Sequence, residues 1–506
     1  MDVVLVLDIG KTNKKIALYD QSMNLIDMIS RNFPALERQG YREEQVDSIE
    51  QWFLGVMADV AAKHTIRAIS ITTHGACAVC VNEKGEPAVP VLDYTTEVSE
   101  DVHTRFCNSV GSAPQLQIST NTAEVRPLIN VAKLLFYTKE LFQKDFTQVK
   151  HILMYPQYFA YRLTGQIWAD YTYLGCHTYL WDFEQGQYSH VADSLGIRDL
   201  LPSKVSYPGD SAGNLKTEIA QTMGVTHAIP VLIGVHDSNS SLIPYLINTE
   251  GDFMLNSTGT WCVAMHPETK AQLKPEDIGK TVFYNLSVNN SPVKTAIFLG
   301  GLEFQTWTEY LQGLHGRTDY PEFNNELAQH CISECKDFIL PGVVQGAGQY
   351  PQSVAALVTN NSLYLLQDLR GLGLNEVPEI LQSYEKAYTV LLLSLALHTK
   401  AAFEQAGLTH GSVESRNGQP IYIEGKFRET RGYTILLASL FPGNPVYTTE
   451  VQEATSYGAA LLGWAGLLNR NLDEMKDLAQ FEKQEVPLVL LDDLDAYIRI
   501  NNTYLQ

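Results

Sequence analysis

The chain has 506 residues, of which 45% are hydrophobic and 18% charged, and its formal net charge is −21. This length exceeds what one hydrophobic core supports and predicts two large domains. The acidic charge argues against nucleic acid or an anionic membrane as the main partner, because both would repel it. The sequence contains no apolar run of about 18 residues, so no membrane-spanning helix is predicted. Its cysteines are scattered without the spacing of a metal site, which indicates reduced thiols in a cytosol.

The N-terminal segment predicts a β-meander. Residues 3–8 form an apolar run, and further strands are expected at residues 15–19 and 25–33. A helix follows, because apolar residues recur at helical spacing from Trp52 to Val60.

Two local signals accompany this helix and the strand after it. Ser48 and Gln51 predict a capping box at the start of the helix. Residues 66–71 then form a β-branched strand that leads into Thr73, His74 and Gly75. Strands and helices in this mixed order predict an α/β fold with a mixed sheet.

The same pattern begins again near the middle of the chain. Strands are expected at residues 253–256 and 261–265, on either side of a small polar turn. The two halves therefore resemble each other, and the predicted domains are residues 1–247 and 248–506.

Two Gly-Lys-Thr triplets invite comparison with a phosphate-binding P-loop, which needs a glycine five residues before the Gly-Lys pair. Those positions hold Leu5 and Lys274, so this interpretation fails. The segment from Asp8 to Asn13 offers a different chemistry. Gly10 allows close backbone approach, Thr12 and Asn13 can donate to phosphate, and Asp8 can hold a hydrated Mg²⁺. An ordinary hairpin explains the segment equally well.

The turn that heads the second half has similar chemistry, with Thr258 and Thr260 on either side of Gly259. Alone it is a weak signal, because polar turns are common. Two such hairpins at the heads of two similar halves suggest that they clamp one phosphate chain from both sides.

Asp237 follows the apolar strand at residues 229–233 and precedes a predicted helix. A helix N-terminus favours an ionised carboxylate, which can accept a proton from a hydroxyl nucleophile. An Asp that merely caps the helix is the competing interpretation. His236 is interpreted as structural.

Taken together, these segments resemble the FGGY carbohydrate kinases of the actin-like ATPase superfamily. The resemblance spans nearly the whole chain and rests on six segments in order: DIGKTN at 8–13, THGA at 73–76, RLTGQ at 162–166, GVHDSNSS at 234–241, STGT at 257–260 and EATSYGAALLG at 453–463. It implies two RNase-H-like domains, with ATP and a sugar in the cleft between them.

The resemblance also implies roles for individual residues. Asp237 would be the catalytic base, and Asp8 would hold Mg²⁺ through water. The expected phosphate and nucleotide contacts are Gly10, Thr12, Asn13, Thr258, Gly259, Thr260 and Gly425. The expected sugar contacts are Thr73, His74, Gly75, Asp93 and Asp237.

The chain departs from the family in two places. Residues 94–98 stand where the family has a Trp-x-Asp-x-Arg stretch, and they lack its Asp and Arg. Asp93 or Glu97 is a candidate to replace the missing sugar contact. The usual glycine-rich adenine segment retains only Gly425. The expected substrate is a ketose or deoxyketose, with a polyol kinase or a non-catalytic sugar-binding regulator as alternatives. The oligomeric state stays open, a homodimer included.

Overall fold

The computed structural model describes residues 1–125 and 128–505 of the chain. The strands of the N-terminal half are β1 (Asp2–Ile9), β2 (Asn13–Tyr19), β3 (Leu25–Asn32), β4 (Leu36–Arg38), β5 (Tyr41–Glu43), β6 (Thr65–Thr73), β7 (Ala78–Val81), β8 (His151–Met154), β9 (Ala169–Asp170), β10 (Trp181–Asp182), β11 (Gln187–Tyr188), β12 (Val205–Ser206), β13 (Ser211–Asn214), β14 (Pro230–Leu232) and β15 (Val235–His236). Its helices are α1 (Val46–Ala61), α2 (Glu100–Val110), α3 (Ala113–Thr120), α4 (Val131–Leu141), α5 (Gln143–Phe146), α6 (Tyr155–Thr164), α7 (Tyr171–Leu174), α8 (His190–Ser194), α9 (Thr217–Thr222) and α10 (Asp237–Asn248).

The C-terminal half repeats this mixture of elements. Its strands are β16 (Met254–Thr258), β17 (Cys262–Pro267), β18 (Val282–Leu286), β19 (Pro292–Phe298), β20 (Asp337–Leu340), β21 (Ala356–Thr359), β22 (Ser362–Leu365), β23 (Ile421–Gly425), β24 (Val446–Glu450) and β25 (Glu482–Glu485). Its helices are α11 (Gly300–His315), α12 (Asn325–Glu334), α13 (Leu366–Leu369), α14 (Glu379–Gln382), α15 (Tyr384–Gln405), α16 (Arg431–Leu440), α17 (Ala454–Leu468) and α18 (Leu494–Thr503).

Seven strands form the sheet of the N-terminal half. Their order is β13-β14-β6-β1-β2-β3, and β15 also pairs with β6. β1, β2 and β3 form the predicted antiparallel meander. β6 runs parallel to β1 on its other side, so β1 lies inside the sheet. This position explains the uninterrupted apolar run of β1, because both of its faces are buried.

The sheet of the C-terminal half also has seven strands, in the order β18-β19-β17-β16-β23-β24-β25. β16 and β17 form an antiparallel hairpin, and β19 pairs with β17. β23 and β24 continue the sheet in parallel on the other side of β16. Each half thus centres on three antiparallel strands that are continued by parallel strands on one side, which confirms the predicted two-part α/β fold with mixed sheets.

Helix α17 joins the two halves. It belongs to the C-terminal half in sequence but packs on the first sheet, where Gly463 faces the side chain of Val4. Trp464 in the same helix donates from Nε1 to the carbonyl of Tyr19 at 3.3 Å. The predicted boundary between residues 247 and 248 lies between the two sheets. It assigns α17 to the C-terminal half, although α17 packs on the sheet of the N-terminal half.

One local prediction is wrong. Helix α1 begins at Val46 with Gln45 as its N-cap, and no side-chain hydrogen bond caps it. Ser48 and Gln51 therefore lie inside the first turns and form no capping box. Across the two described ranges, no helix combines the length and the apolar character needed to cross a membrane.

Candidate active site

The turn between β1 and β2 carries the first set of predicted phosphate-binding residues. Thr12 and Asn13 are exposed beside Gly10. The fully buried Lys14 donates from Nζ to the carbonyls of Gly10 and Lys11, each at 3.1 Å. These two hydrogen bonds fix the turn from its buried side. The side of the turn that faces solvent stays accessible to a ligand.

Asp8 lies at the end of β1 and is 5% exposed. Its Oδ2 accepts a 2.6 Å hydrogen bond from the hydroxyl of Ser456 in α17. Burial raises the pKa of Asp8 to about 6, against the lowering effects of Ser456 and Lys15. Lys15 in turn lies 2.5 Å from Glu453, the residue that precedes α17.

A charged cluster that the sequence did not predict lies beside this turn. Lys11 places Nζ 2.9 Å from Glu44 Oε1 and also contacts Asp93 Oδ2. Both carboxylate side chains are 1% exposed. The Lys11 ammonium also lies over the ring of Tyr94, 4.7 Å from its centroid. Asp93, which was predicted to contact the sugar, is thus engaged by Lys11.

The charges of this cluster stabilise one another. Burial alone would raise the pKa of Glu44, but His74, Lys11 and Lys14 lower it well below its usual range. Burial likewise lowers the pKa of Lys14, and Glu44 opposes that effect. Glu44 therefore remains a carboxylate although water scarcely reaches it.

The predicted sugar segment follows β6 and is also buried. The hydroxyl of Thr73 donates to the carbonyl of His74 at 3.0 Å. His74 is 4% exposed, and its Nε2 lies 3.7 Å from Glu44 Oε1. A Cβ atom at Gly75 would lie only 2.7 Å from His236 Nε2, so the backbone approaches that ring closely. The segment is therefore bound to the charged cluster on one side and to His236 on the other.

Asp237 is the first residue of α10, with His236 as the N-cap residue. The backbone N–H of Ser238 donates to Asp237 Oδ1 at 2.7 Å. The Asp237 side chain is 30% exposed, in contrast to the other carboxylates around it. Its charge acts on both Asp8 and Tyr94, so it lies near the phosphate turn and near the cluster.

The second predicted phosphate turn follows β16. Thr258 is buried, and its hydroxyl is occupied within the protein, since it donates to the carbonyl of Glu424 and accepts from Phe427 N at 2.9 Å. Thr260 is exposed, and Gly259 lies between them. The exposed backbone and Thr260 are what this turn offers to a phosphate group.

Glycines determine how closely other segments approach this turn. Gly425 has φ of 79°, and a Cβ there would lie 2.1 Å from the carbonyl oxygen of Thr258. A Cβ at Gly301 in α11 would lie 1.9 Å from the carbonyl oxygen of Gly259. The N-terminus of α11 thus abuts the turn, a contact between segments more than 40 residues apart.

The fold brings the predicted residues Asp8, His74, Gly75, Asp93 and Asp237 of the N-terminal half near one another, but it adds partners that lacked a clear signal. Lys11 and Lys14 were visible as charges in an otherwise apolar hairpin. Glu44 and Ser456 had no such signal, because both come from segments distant in sequence. Asp8, Asp237 and the cluster around Glu44 form the candidate active site.

The residues around Asp8 fit a hydrated Mg²⁺. Among the described residues no group of three or more His, Cys, Asp or Glu side chains could hold a metal alone. Magnesium at kinase sites needs only one or two carboxylates, together with water and substrate phosphates. The neighbouring charges of Asp237 and Glu453 raise the pKa of Asp8, and a divalent cation would relieve that repulsion.

Comparison with known proteins places the chain in a family. Residues 3–244 match the N-terminal domain of the FGGY family of carbohydrate kinases, and residues 250–471 match the C-terminal domain of carbohydrate kinase FGGY. L-fuculokinase of Salmonella typhi is 26% identical over 275 residues, which are 52% of this chain and 56% of that protein. The chain therefore aligns with only about half the length of this curated relative.

Likeness to solved structures extends over the whole chain. A carbohydrate kinase from Novosphingobium aromaticivorans is 26% identical, with a TM-score of 0.79 over 99% of this chain and 98% of that one. A ligand-bound xylulose kinase from Lactobacillus acidophilus has a TM-score of 0.77 at 18% identity, over 100% of this chain and 97% of that one, which shows the shared fold. The chain belongs to the FGGY family of carbohydrate kinases.

Proposed function

We propose that this protein transfers the γ-phosphoryl group of Mg-ATP to a hydroxyl of a small sugar. The observation that carries the proposal is the position of Asp237. It is a partly exposed carboxylate at a helix N-terminus, and its charge acts on Asp8 beside the first phosphate turn. Residues 1–247 would provide the sugar site and the base, and residues 248–506 most of the nucleotide site.

In this proposal Asp237 accepts the proton of the sugar hydroxyl as that oxygen bonds to phosphorus. The Ser238 N–H, at the N-terminus of α10, donates to Asp237 Oδ1 and so orients the carboxylate. The carboxylate and the hydroxyl must approach to hydrogen-bond distance. Catalysis then depends mainly on positioning and on charge stabilisation.

The two glycine turns would hold the phosphate chain. The first would use Gly10, Thr12 and Asn13, and the second Gly259 and Thr260, with Thr258 and Gly425 shaping it from below. Bound Mg²⁺, held through water by Asp8, would supply positive charge next to the phosphates. Lys15 lies near Asp8 and adds a protein cation on the same side.

The sugar would lie between Asp237 and the segment from Thr73 to Gly75. Tyr94 provides an aromatic ring next to this space. The negative charge of Asp237 acts on the Tyr94 hydroxyl, which supports that placement. Asp93 would act on the sugar through Lys11, or directly if Lys11 moves. A ketose or deoxyketose is the proposed substrate class, as the names of the L-fuculokinase and xylulose kinase relatives suggest.

A coupled ADP-release assay tests this function. Purified protein is incubated with Mg-ATP and a panel of ketoses, deoxyketoses, aldoses and polyols. Stimulation by one ketose is expected and would identify the substrate. Stimulation by glycerol or erythritol alone would favour a polyol kinase instead. Slow hydrolysis that no compound stimulates, together with sugar binding by calorimetry, would favour a non-catalytic regulator.

A further inference from the structure

His236 lies directly before Asp237 and is almost entirely buried, with 3% exposure. Its backbone N–H donates to the hydroxyl of Thr172 at 3.2 Å, which fixes the main chain at the start of α10. The ring lies edge-on to that of Tyr173, with centroids 5.8 Å apart. The close approach of Gly75 leaves the ring no space to move toward β6. The imidazole is therefore held in one place.

Asn239 determines which ring nitrogen of His236 carries the proton. Its Nδ2 lies 3.5 Å from the carbonyl oxygen of Thr172 and 3.3 Å from His236 Nδ1. A carbonyl oxygen only accepts, so the amide must turn its NH₂ group to this side. His236 Nδ1 is then an acceptor, and the proton of the neutral ring lies on Nε2. Burial lowers the pKa of His236, which favours the neutral ring.

The protonated nitrogen faces Asp237. His236 Nε2 lies 3.4 Å from Asp237 Oδ1. The same oxygen accepts from Ser238 N at 2.7 Å and from the Ser238 hydroxyl at 3.4 Å. The two Ser238 donors and the His236 ring nitrogen therefore all lie on the Oδ1 side of the carboxylate. The other oxygen, Oδ2, is the one left to meet a substrate hydroxyl.

We propose that His236 is a positioning residue for Asp237, with its tautomer set by Asn239. Its Nε2–H would donate to Oδ1 once the substrate is bound and hold the carboxylate plane, so that Oδ2 is left to meet the sugar hydroxyl. The inference rests on the proposed kinase function and specifies how its base is oriented. It assigns to His236 a role that the sequence did not indicate.

The proton balance of the step leaves His236 unchanged. The sugar oxygen forms a bond to the γ-phosphorus, and the bond from that phosphorus to the β,γ-bridging oxygen breaks, with its electron pair leaving on ADP. The hydroxyl proton moves to Asp237 Oδ2. His236 keeps its own proton throughout and is not a relay.

Other titratable groups face this pair and must be considered in any pH profile. Those that act on His236 or Asp237 through their charge, or lie against them, are Asp8, His74, Tyr94, Tyr173, Cys176 and His177. Each of them is present in every variant proposed below. A change caused by substitution of His236 or Asn239 alone can therefore be assigned to the pair.

The first experiment compares His236→Gln with His236→Phe. The Gln side chain can place an N–H near the position of Nε2, whereas Phe keeps the ring shape without a donor. Loss of the donor is expected to lower kcat about tenfold or more, with the KM for ATP little changed, and to move the acidic limb of kcat/KM upward by about one pH unit. His236→Gln should recover most of both effects. His398→Gln, which alters an equally buried histidine in α15, serves as the control and should leave the profile unchanged.

The second experiment reads the tautomer directly and needs no turnover. ¹⁵N-histidine NMR of the full-length protein, assigned with His236→Gln, should show a protonated Nε2 and an unprotonated Nδ1. Asn239→Asp places an acceptor at Nδ1, so it should move the proton there and lower kcat at least as much as His236→Phe. A proton on Nδ1 in the wild type, or an unmoved acidic limb in His236→Phe, would overturn the inference. If no sugar is phosphorylated, the kinase proposal fails, and the NMR result still decides the tautomer.

Discussion

Ser456 donates a 2.6 Å hydrogen bond to Asp8 Oδ2, although 448 positions of sequence separate the two residues. Asp8 ends the first strand of the chain, and Ser456 lies in the first turn of α17. The contact exists because α17 packs back on the first sheet. The C-terminal half thereby supplies a group that tunes the carboxylate proposed to hold Mg²⁺.

Substitution Ser456→Ala is expected to weaken the use of Mg²⁺. It removes a hydrogen bond that lowers the pKa of Asp8, which burial already raises to about 6. The fraction of molecules with a protonated Asp8 will then be larger near neutral pH. A protonated carboxyl holds hydrated Mg²⁺ poorly. The half-saturating Mg²⁺ concentration at fixed ATP should rise, by about tenfold at pH 6 and less at pH 8.

The matched control is Ser439→Ala. Ser439 is also buried, but it donates to the carbonyl of Ile435 within α16. Its Mg²⁺ titration should match that of the wild type. An equal Mg²⁺ requirement in Ser456→Ala at both pH values would contradict the role assigned to Asp8.

Substitution Asp237→Asn should abolish proton acceptance while keeping the shape of the site. We expect kcat to fall by about 10²–10⁴, because general-base catalysis typically contributes that much. Binding of ATP and of the sugar, measured by calorimetry, should be nearly unchanged. Turnover close to that of the wild type would exclude Asp237 as the base.

Substitution Lys11→Met should destabilise the protein. It removes the ammonium that the buried carboxylates Glu44 and Asp93 share and leaves Lys14 3.8 Å from Glu44. Breaking a buried ion pair in this way typically costs about 3–5 kcal/mol of unfolding free energy. Adding Asp93→Asn should recover a large part of that loss, because it removes one of the unpaired charges. Thermal midpoints of the single and double variants form the cycle that measures this coupling.

A surface lysine provides the contrast. Lys476 pairs with Glu250, and their side chains are 55% and 92% exposed. Lys476→Met should change the unfolding free energy by less than about 1 kcal/mol. If Lys11→Met were equally harmless, or if the Lys11 and Asp93 effects were simply additive, the cluster would not be the stabilising unit described above.

The sequence predicts the fold well because the two hairpins combine apolar strands with polar turns. Those local patterns locate β1, β2, β16 and β17 within a residue or two. The position of Asp237 at the start of a helix could also be predicted, since a strand that leads into a helix is visible in the sequence, whereas its role as base stays a prediction. These are signals that depend on neighbouring residues only.

Contacts between distant segments could not be predicted in this way. Glu44 looks like an ordinary surface residue in its own segment, and it is buried only because Lys11, Lys14 and His74 gather around it. The pairing of Asp93 with Lys11 depends on the same assembly, so it could not be read from the segment around Asp93, and the sugar contact of Asp93 stays a prediction. The capping box at Ser48 was wrong because the helix starts three residues earlier than the local pattern indicates, with Gln45 as its N-cap.

The pH dependence of stability should carry a contribution from Asp170, which is fully buried at the N-cap of α7. Burial raises its pKa from 3.8 to about 7, although Thr172, Tyr173 and Gln157 donate hydrogen bonds to it. The folded state therefore binds a proton that the unfolded state has lost between these two values. Stability from this group is fully present below about pH 4 and is lost as the pH rises toward 7.

Asp170→Asn should remove that dependence. Relative to the wild type, its thermal midpoint should rise from pH 5 to about pH 7 and then level off, since Asn has no proton to lose. The difference in unfolding free energy should change by about 1 kcal/mol per pH unit below pH 7. Parallel midpoint curves for the two proteins would show that Asp170 does not titrate in this range.

The packing of α17 against α10 should tolerate no side chain at Gly458. A Cβ there would lie 1.9 Å from the carbonyl oxygen of Ser240 in α10, which is backbone and cannot turn aside. Gly458→Ala should therefore push the helices apart, lower the thermal midpoint and displace both Ser456 and Asp237. Gly466 lies in the same helix but is exposed, and a Cβ there would lie 3.9 Å from the carbonyl oxygen of Gly209. Gly466→Ala should stabilise the protein by up to about 1 kcal/mol, because alanine favours a helix interior. Equal midpoints for the two variants would mean that helix propensity, and not the contact with Ser240, decides the effect of Gly458.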